Sequence, residues 1–131
     1  SRIGIVGHCW GGRVSWLGAC QVPEFKACAI FYGGRVKLKM GPNTPPAIEL
    51  TGQINCPVAG FFGNEDENPR PADVDDYEKA LEAAGVPREF HRYDNAGHAF
   101  QSFNSAERYR HDVSEDAWGK VLKFLGKNLA G

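Results

Sequence analysis

The chain has 131 residues, of which 42% are hydrophobic and 24% charged, and its formal net charge is −1. This length allows one domain, and a composition close to the globular average excludes a disordered chain, a collagen-like repeat and a coiled coil. The near-neutral net charge indicates no excess of basic residues of the kind that binds nucleic acid. No apolar run approaches the ~20 residues that a membrane helix needs. We therefore expect neither nucleic acid nor a membrane as a partner.

Short apolar runs alternate with helix-like segments along the chain. Continuous apolar runs bounded by glycine are typical of strands buried on both faces, as in a parallel sheet covered by helices. The sequence predicts three such strands, over residues 3–7, 27–32 and 57–62, and a fourth strand over residues 89–93, where Phe90 and Arg92 alternate with His91 and Tyr93. Strands that alternate with helices predict the α/β class, with a mostly parallel sheet and flanking helices.

Three segments between and after these strands are predicted helices. The first covers residues 13–20, the second begins near Pro71, and the third runs from about Asp112 to Leu129. The buried stripe of the third helix is predicted from its apolar spacing to comprise Ala117, Trp118, Val121, Leu122 and Leu125. Residues 35–56 contain a cluster of glycine and proline and predict a loop over the surface.

The four cysteines have no spacing that indicates a disulfide framework or a metal site. A chain of this length and composition does not need covalent staples to fold. We interpret Cys20, Cys28 and Cys56 as reduced thiols of the core, in a cytoplasmic protein without a bound metal. Cys9 stands in a different context.

Cys9 occupies the nucleophile position of a G-x-S-x-G-like elbow. The segment Gly7-His8-Cys9-Trp10-Gly11 follows the first predicted strand and opens the first helix. In such an elbow the residues two before and two after the nucleophile must be small, which Gly7 and Gly11 satisfy. We expect the helix N-terminus to lower the pKa of the Cys9 thiol, and the Trp10 N–H to stabilise an oxyanion. Taken alone, the motif also fits a tight turn in which Cys9 has no role.

Two further loops supply a candidate base and a candidate acid. His98 lies in the loop after the fourth predicted strand, and Asp66 in the loop after the third. Loops that follow parallel strands emerge at the same edge of the sheet, so both side chains are expected to lie near Cys9. Glu65 and Glu67 are the alternatives to Asp66. The chain order nucleophile, acid, histidine is that of α/β hydrolases.

Together these segments resemble the dienelactone hydrolase family, the cysteine-nucleophile branch of the α/β hydrolases. The resemblance is carried by IGIVGHCWGG, CPVAGFFGNEDENP and YDNAGHAF and extends over essentially the whole chain. It implies that Cys9 is the nucleophile, Asp66 the acid and His98 the base. It also implies a small-molecule ester or lactone as substrate, an acyl-thioester intermediate, and no cofactor. Family members that bind the anionic dienelactone carry an arginine shortly after the catalytic histidine, whereas here none occurs before Arg108.

The resemblance also indicates what the chain lacks. Full members of the family have several strands before the elbow, so the single domain, residues 1–131, is expected to be incomplete at its N-terminus. Without those strands, residues 3–7 become an apolar edge strand that is open to pairing. Either the chain is part of a longer protein, or it completes its sheet with a second copy as a homodimer. The alternative function is a non-catalytic ligand-binding or interaction module built on a truncated hydrolase fold.

Overall fold

The computed structural model describes residues 2–130, in which strands and helices alternate. In chain order these are β1 (Ile3–His8), α1 (Trp10–Gln21), β2 (Phe25–Phe31), a 3₁₀ helix (Ala47–Gln53), β3 (Val58–Gly63), α2 (Pro71–Ala83), β4 (Arg88–Tyr93) and α3 (His111–Leu129). The four strands form one parallel sheet in the order β1-β2-β3-β4. The predicted α/β class with a parallel sheet and flanking helices is confirmed.

Helices cover both faces of the sheet and create two hydrophobic cores. Alternate residues of β2 and β3 face opposite sides. On one side Cys28, Ile30 and Val58 pack with α1, α2 and the 3₁₀ helix, and on the other Ala29 and Phe61 pack with α3. Because β2 and β3 are buried on both faces, their sequences are continuous apolar runs. No helix within residues 2–130 is long and apolar enough to cross a membrane.

The segment 35–56 is not the surface loop that its glycine and proline content predicts. It contains the 3₁₀ helix, and Val36, Ala47, Ile54 and Cys56 are buried in the core beside α1 and α2. These apolar residues flank the Gly/Pro-rich stretch, and their burial outweighs the loop signal of that stretch.

The buried stripe of α3 is rotated from the predicted one. Its buried residues are Ser114, Ala117, Val121 and Phe124. The prediction that Trp118 and Leu122 are buried is wrong, because both are about half exposed. Trp118 lies beside His8 at the end of β1, and β1 is the last strand of the sheet on that side, so no further strand covers the indole.

β1 is an edge strand, in agreement with the prediction. It pairs with β2 alone, so the backbone N–H and C=O groups on its other side have no strand partner among residues 2–130. Ile3 and Val6 on this strand are exposed, as is Val14 on the adjacent α1. An apolar edge of this kind is a template for pairing with another strand.

All four cysteines are free thiols. Cys20, Cys28 and Cys56 are buried, which confirms their assignment to the core. The Cys28 thiol donates a hydrogen bond to the Ser15 carbonyl at 3.5 Å. A cytoplasmic location stays a prediction.

We expect Val6→Lys to reduce self-association of the chain, because a charged side chain on an edge strand opposes pairing. The weight-average mass in sedimentation equilibrium measures the effect. Val14→Lys is the matched control, since Val14 is similarly exposed but lies on a helix. Equal effects of the two substitutions, or none from Val6→Lys, would show that the β1 edge does not direct association.

Candidate active site

Cys9 forms a strained turn between β1 and α1. Its backbone has φ 55° and ψ −122°, in a region that residues with a side chain rarely adopt. Two hydrogen bonds hold it there: the Cys9 N–H donates to the Phe31 carbonyl at 3.0 Å, and the Cys9 carbonyl accepts from the Gly12 N–H at 2.9 Å. The turn therefore places the thiol at the C-terminal edge of the sheet, where the elbow motif predicts it.

Two glycines allow α1 to cross closely over β1 and β2. A Cβ on Gly7 would overlap the carbonyl of Gly11, and one on Gly12 would lie 2.7 Å from the Cα of Gly33. A Cβ on Gly11 would meet no atom within 4 Å. The steric reason for an elbow glycine thus holds at Gly7 but not at Gly11, and Gly12 is the second position that requires glycine.

The candidate acid, Asp66, and the candidate base, His98, are joined by a direct hydrogen bond. His98 Nδ1 lies 2.9 Å from Asp66 Oδ2, and Asp66 is buried. The other carboxylate oxygen of Asp66 accepts the Asn68 N–H at 2.8 Å. Glu65 and Glu67 are exposed, so Asp66 is the acid that the structure brings to the imidazole. With Nδ1 engaged, Nε2 of His98 is the nitrogen left for a reacting group.

The loop that carries His98 turns on two residues with positive φ. Asn95 and Ala99 both have φ 59°. Asparagine tolerates this conformation, but alanine does not favour it, so Ala99 is held there by its surroundings. Ala99 is buried, as is the neighbouring Phe100. This packing sets the position of the imidazole between them and Gly97.

Cys9 and His98 line the same cavity, which has a volume of about 310 Å³. Its other lining residues are Trp10, Gly34, Arg35 and Asn68. The hydrogen bonds of residues 2–130 include none between the Cys9 sulfur and the imidazole. Such contacts are often long in a free enzyme and shorten when substrate binds. Within residues 2–130, no group of three or more His, Cys, Asp or Glu is placed to hold a metal ion.

The electrostatic surroundings of Cys9 raise the pKa of its thiol above the ordinary value. Burial is the largest cause, and the Asp66 carboxylate adds to it. A hydrogen bond from the Trp10 N–H and the charge of Arg108 oppose the increase without cancelling it. The expected net lowering by the helix N-terminus is therefore wrong, because burial outweighs it. At neutral pH the resting residue is a thiol, which needs a base to become a nucleophile.

Two residues near the site carry no motif that would have identified them. Tyr32 is buried with φ 42°, and its ring packs edge-on against the His98 imidazole with centroids 5.3 Å apart. The Tyr32 ring also packs edge-on against Phe100, with ring centroids 5.0 Å apart. Arg108 lies close enough to lower the pKa of Cys9, although it is remote in sequence. The only sequence signal for Tyr32 is its place directly after β2, at the edge of the sheet that holds Cys9.

The model of the dienelactone hydrolase family matches residues 1–129. The chain belongs to the dienelactone hydrolase family. It is 34% identical over 127 residues to a protein of Methylorubrum extorquens, and 32% identical over 124 residues to one of Escherichia coli K12. Both relatives are provisionally named carboxymethylenebutenolidases.

A solved structure has the same fold as this family member. The crystal structure of a provisional dienelactone hydrolase from Klebsiella pneumoniae superposes with a TM-score of 0.85 and 32% sequence identity. The match covers 92% of this chain and 50% of that one. The alignments with the Methylorubrum and Escherichia proteins each cover 95% of this chain but 43% and 45% of the relatives. The chain thus spans about half the length of the relatives that it matches.

We expect Gly7→Ala and Gly12→Ala each to lower the free energy of unfolding by at least about 2 kcal/mol, because the new methyl group meets backbone atoms that cannot move aside. Gly11→Ala should change it by less than about 1 kcal/mol, since the added methyl group meets open space. Urea denaturation followed by circular dichroism measures all three. A large loss in Gly11→Ala would contradict the geometry of the elbow.

We expect Asp66→Asn to lower the pKa of the Cys9 thiol, because the substitution removes a negative charge that disfavours the thiolate. The rate of iodoacetamide alkylation at Cys9, measured against pH by mass spectrometry, should then rise with a midpoint at lower pH than in the native chain. Glu65→Gln is the control, since the Glu65 carboxylate is exposed and is not among the groups that shift Cys9. A midpoint that stays in place in Asp66→Asn would show that this carboxylate does not act on the thiol.

Proposed function

We propose that the protein hydrolyses a small-molecule carboxylic ester or lactone, with Cys9 as nucleophile, His98 as general base and Asp66 as the group that orients the imidazole. One observation carries the proposal: a strained cysteine at a strand-to-helix turn lines one cavity with His98, whose Nδ1 is hydrogen-bonded to Asp66. Nucleophile, base and orienting acid in this arrangement are the components of covalent acyl transfer. Membership of the dienelactone hydrolase family supports the same reaction class.

The first half of the reaction transfers the acyl group to sulfur. Nε2 of His98 takes the proton of the Cys9 thiol, and the thiolate attacks the ester carbonyl to give a tetrahedral oxyanion. The Trp10 N–H, which points toward the sulfur, is placed to donate to that oxyanion. Collapse of the oxyanion breaks the bond to the alcohol oxygen. That oxygen takes the proton from the imidazolium and leaves behind an acyl-thioester on Cys9.

The second half hydrolyses the thioester. Nε2 of His98 takes a proton from water as the water oxygen attacks the thioester carbonyl. The carbon–sulfur bond then breaks, the imidazolium returns its proton to the Cys9 sulfur, and the carboxylic acid leaves. Through both halves the Asp66 carboxylate stabilises the imidazolium by its hydrogen bond to Nδ1. The raised pKa of Cys9 makes this base essential, because little thiolate is present at neutral pH without it.

A second candidate function is a ligand-binding module without turnover. It is favoured by the absence of a hydrogen bond between the Cys9 sulfur and His98 in the described part of the chain. In that case Cys9 would react with one equivalent of iodoacetamide, but no activated ester would be turned over.

We expect Cys9→Ala and His98→Ala each to reduce kcat/KM for p-nitrophenyl acetate by at least about 10³-fold, because either change removes an essential step of acyl transfer. Release of p-nitrophenolate measures the rate. His111→Ala is the matched control, since His111 is exposed and its ring pairs with Tyr109 rather than with the site. A native rate in Cys9→Ala or His98→Ala would exclude the mechanism, and a native chain that is labelled but inactive would favour the binding module.

A further inference from the structure

We propose that the indole of Trp10 is a specificity-determining surface of the Cys9 cavity, on which a flat aromatic or conjugated group of the substrate stacks, and that Arg13 holds this indole in place. The inference deepens the proposed function and rests on it, since it concerns which esters reach Cys9. It assigns a role to the side chain of Trp10, whereas the hydrolytic mechanism uses only its backbone N–H.

Trp10 lies next to the nucleophile and leaves much of its ring uncovered. It is the first residue of α1, it lines the cavity together with Cys9 and His98, and it is 52% exposed. An indole offers a broad apolar face, and aromatic groups stack on such a face favourably. A ligand group bound at Cys9 therefore has an uncovered aromatic surface within the same cavity.

Arg13 supplies the second observation. It is only 6% exposed, its Nε is buried without a hydrogen-bond partner, and no ion pair within residues 2–130 includes it. Its guanidinium carbon lies 5.1 Å from the centroid of the Trp10 ring. A buried cation without a counter-ion is costly, and attraction to an aromatic face is stronger when the cation is removed from water.

The contact between Arg13 and Trp10 orders the indole at the cavity. Because Arg13 is one turn further along α1, its guanidinium fixes the indole relative to the helix that also carries Cys9. The ring is then ordered before a ligand binds, so that stacking does not have to overcome the entropy of ordering it. Arg13 is therefore a positioning residue, and Trp10 is the surface that contacts the ligand.

Alkylation of Cys9 tests the proposal without requiring ester turnover. The thiolate displaces iodide from iodoacetamide or from its N-phenyl derivative, and the two reagents differ only in the aromatic ring. We expect the native chain to prefer the N-phenyl reagent by about fivefold over the preference of free cysteine, as the strength of aromatic stacking implies. Peptide mass spectrometry identifies Cys9, since the other three cysteines are buried.

Four variants decide between the outcomes. Trp10→Ala should lose the preference and Trp10→Phe should keep most of it. Arg13→Gln should reduce the preference for the N-phenyl reagent, and Arg13→Lys, which keeps the positive charge, should retain part of it. Trp118→Ala is the matched control, because Trp118 is 47% exposed but does not line the cavity of Cys9. An unchanged preference in Trp10→Ala overturns the proposal, and an unchanged preference in Arg13→Gln overturns the positioning role.

Kinetics with esters separates this inference from the proposed function. If the native chain turns over esters, Trp10→Ala should raise KM for phenyl acetate about fivefold more than KM for methyl acetate. A selective alkylation of Cys9 in a chain without turnover would reject the proposed function and retain the aromatic surface. Turnover with equal KM changes for both esters would reject the aromatic surface and retain the function.

Discussion

The close crossing of α1 over the ends of β1 and β2 is the constraint on which the rest of the site depends. Gly7 and Gly12 permit the crossing because a methyl group at either position would meet backbone atoms. The crossing forces Cys9 into its left-handed conformation, and its N–H donates across to the carbonyl of Phe31 at 3.0 Å. A side chain whose backbone is held in this way keeps its position without help from side-chain contacts.

The negative charge of Asp66 affects both His98 and Cys9. It orients His98 through a hydrogen bond of 2.9 Å to Nδ1 and stabilises a positive imidazole. Burial is the main cause of the raised pKa of the Cys9 thiol, and the charge of Asp66 raises this pKa further. A neutral thiol is less exposed to oxidation than a thiolate, because oxidation follows thiolate character.

The sequence was sufficient to predict the parts of the structure that depend on short-range patterns. β1, β2 and β3 are apolar runs, and Cys9, Asp66 and His98 lie in the connections that follow β1, β3 and β4, so their location at one edge of the sheet could be inferred from topology. The buried face of α3 could not be predicted from the sequence, because the exposure of Trp118 depends on which strand lies at the end of the sheet. The raised pKa of Cys9 was missed because burial of a side chain is a property of tertiary packing. Tyr32 was missed since neither its position against His98 nor its positive φ has a motif.

The order of the strands in the sheet has a consequence for assembly. Each strand pairs with its neighbours along the chain, so every ladder joins consecutive segments and none spans the whole polypeptide. The three ladders of residues 2–130 lie between β1 and β4. The Asp66–His98 pair joins the two connections that follow β3 and β4. The sheet from β1 to β4 can therefore form from segments that are neighbours in the sequence, so each pairing closes a single strand-to-strand connection.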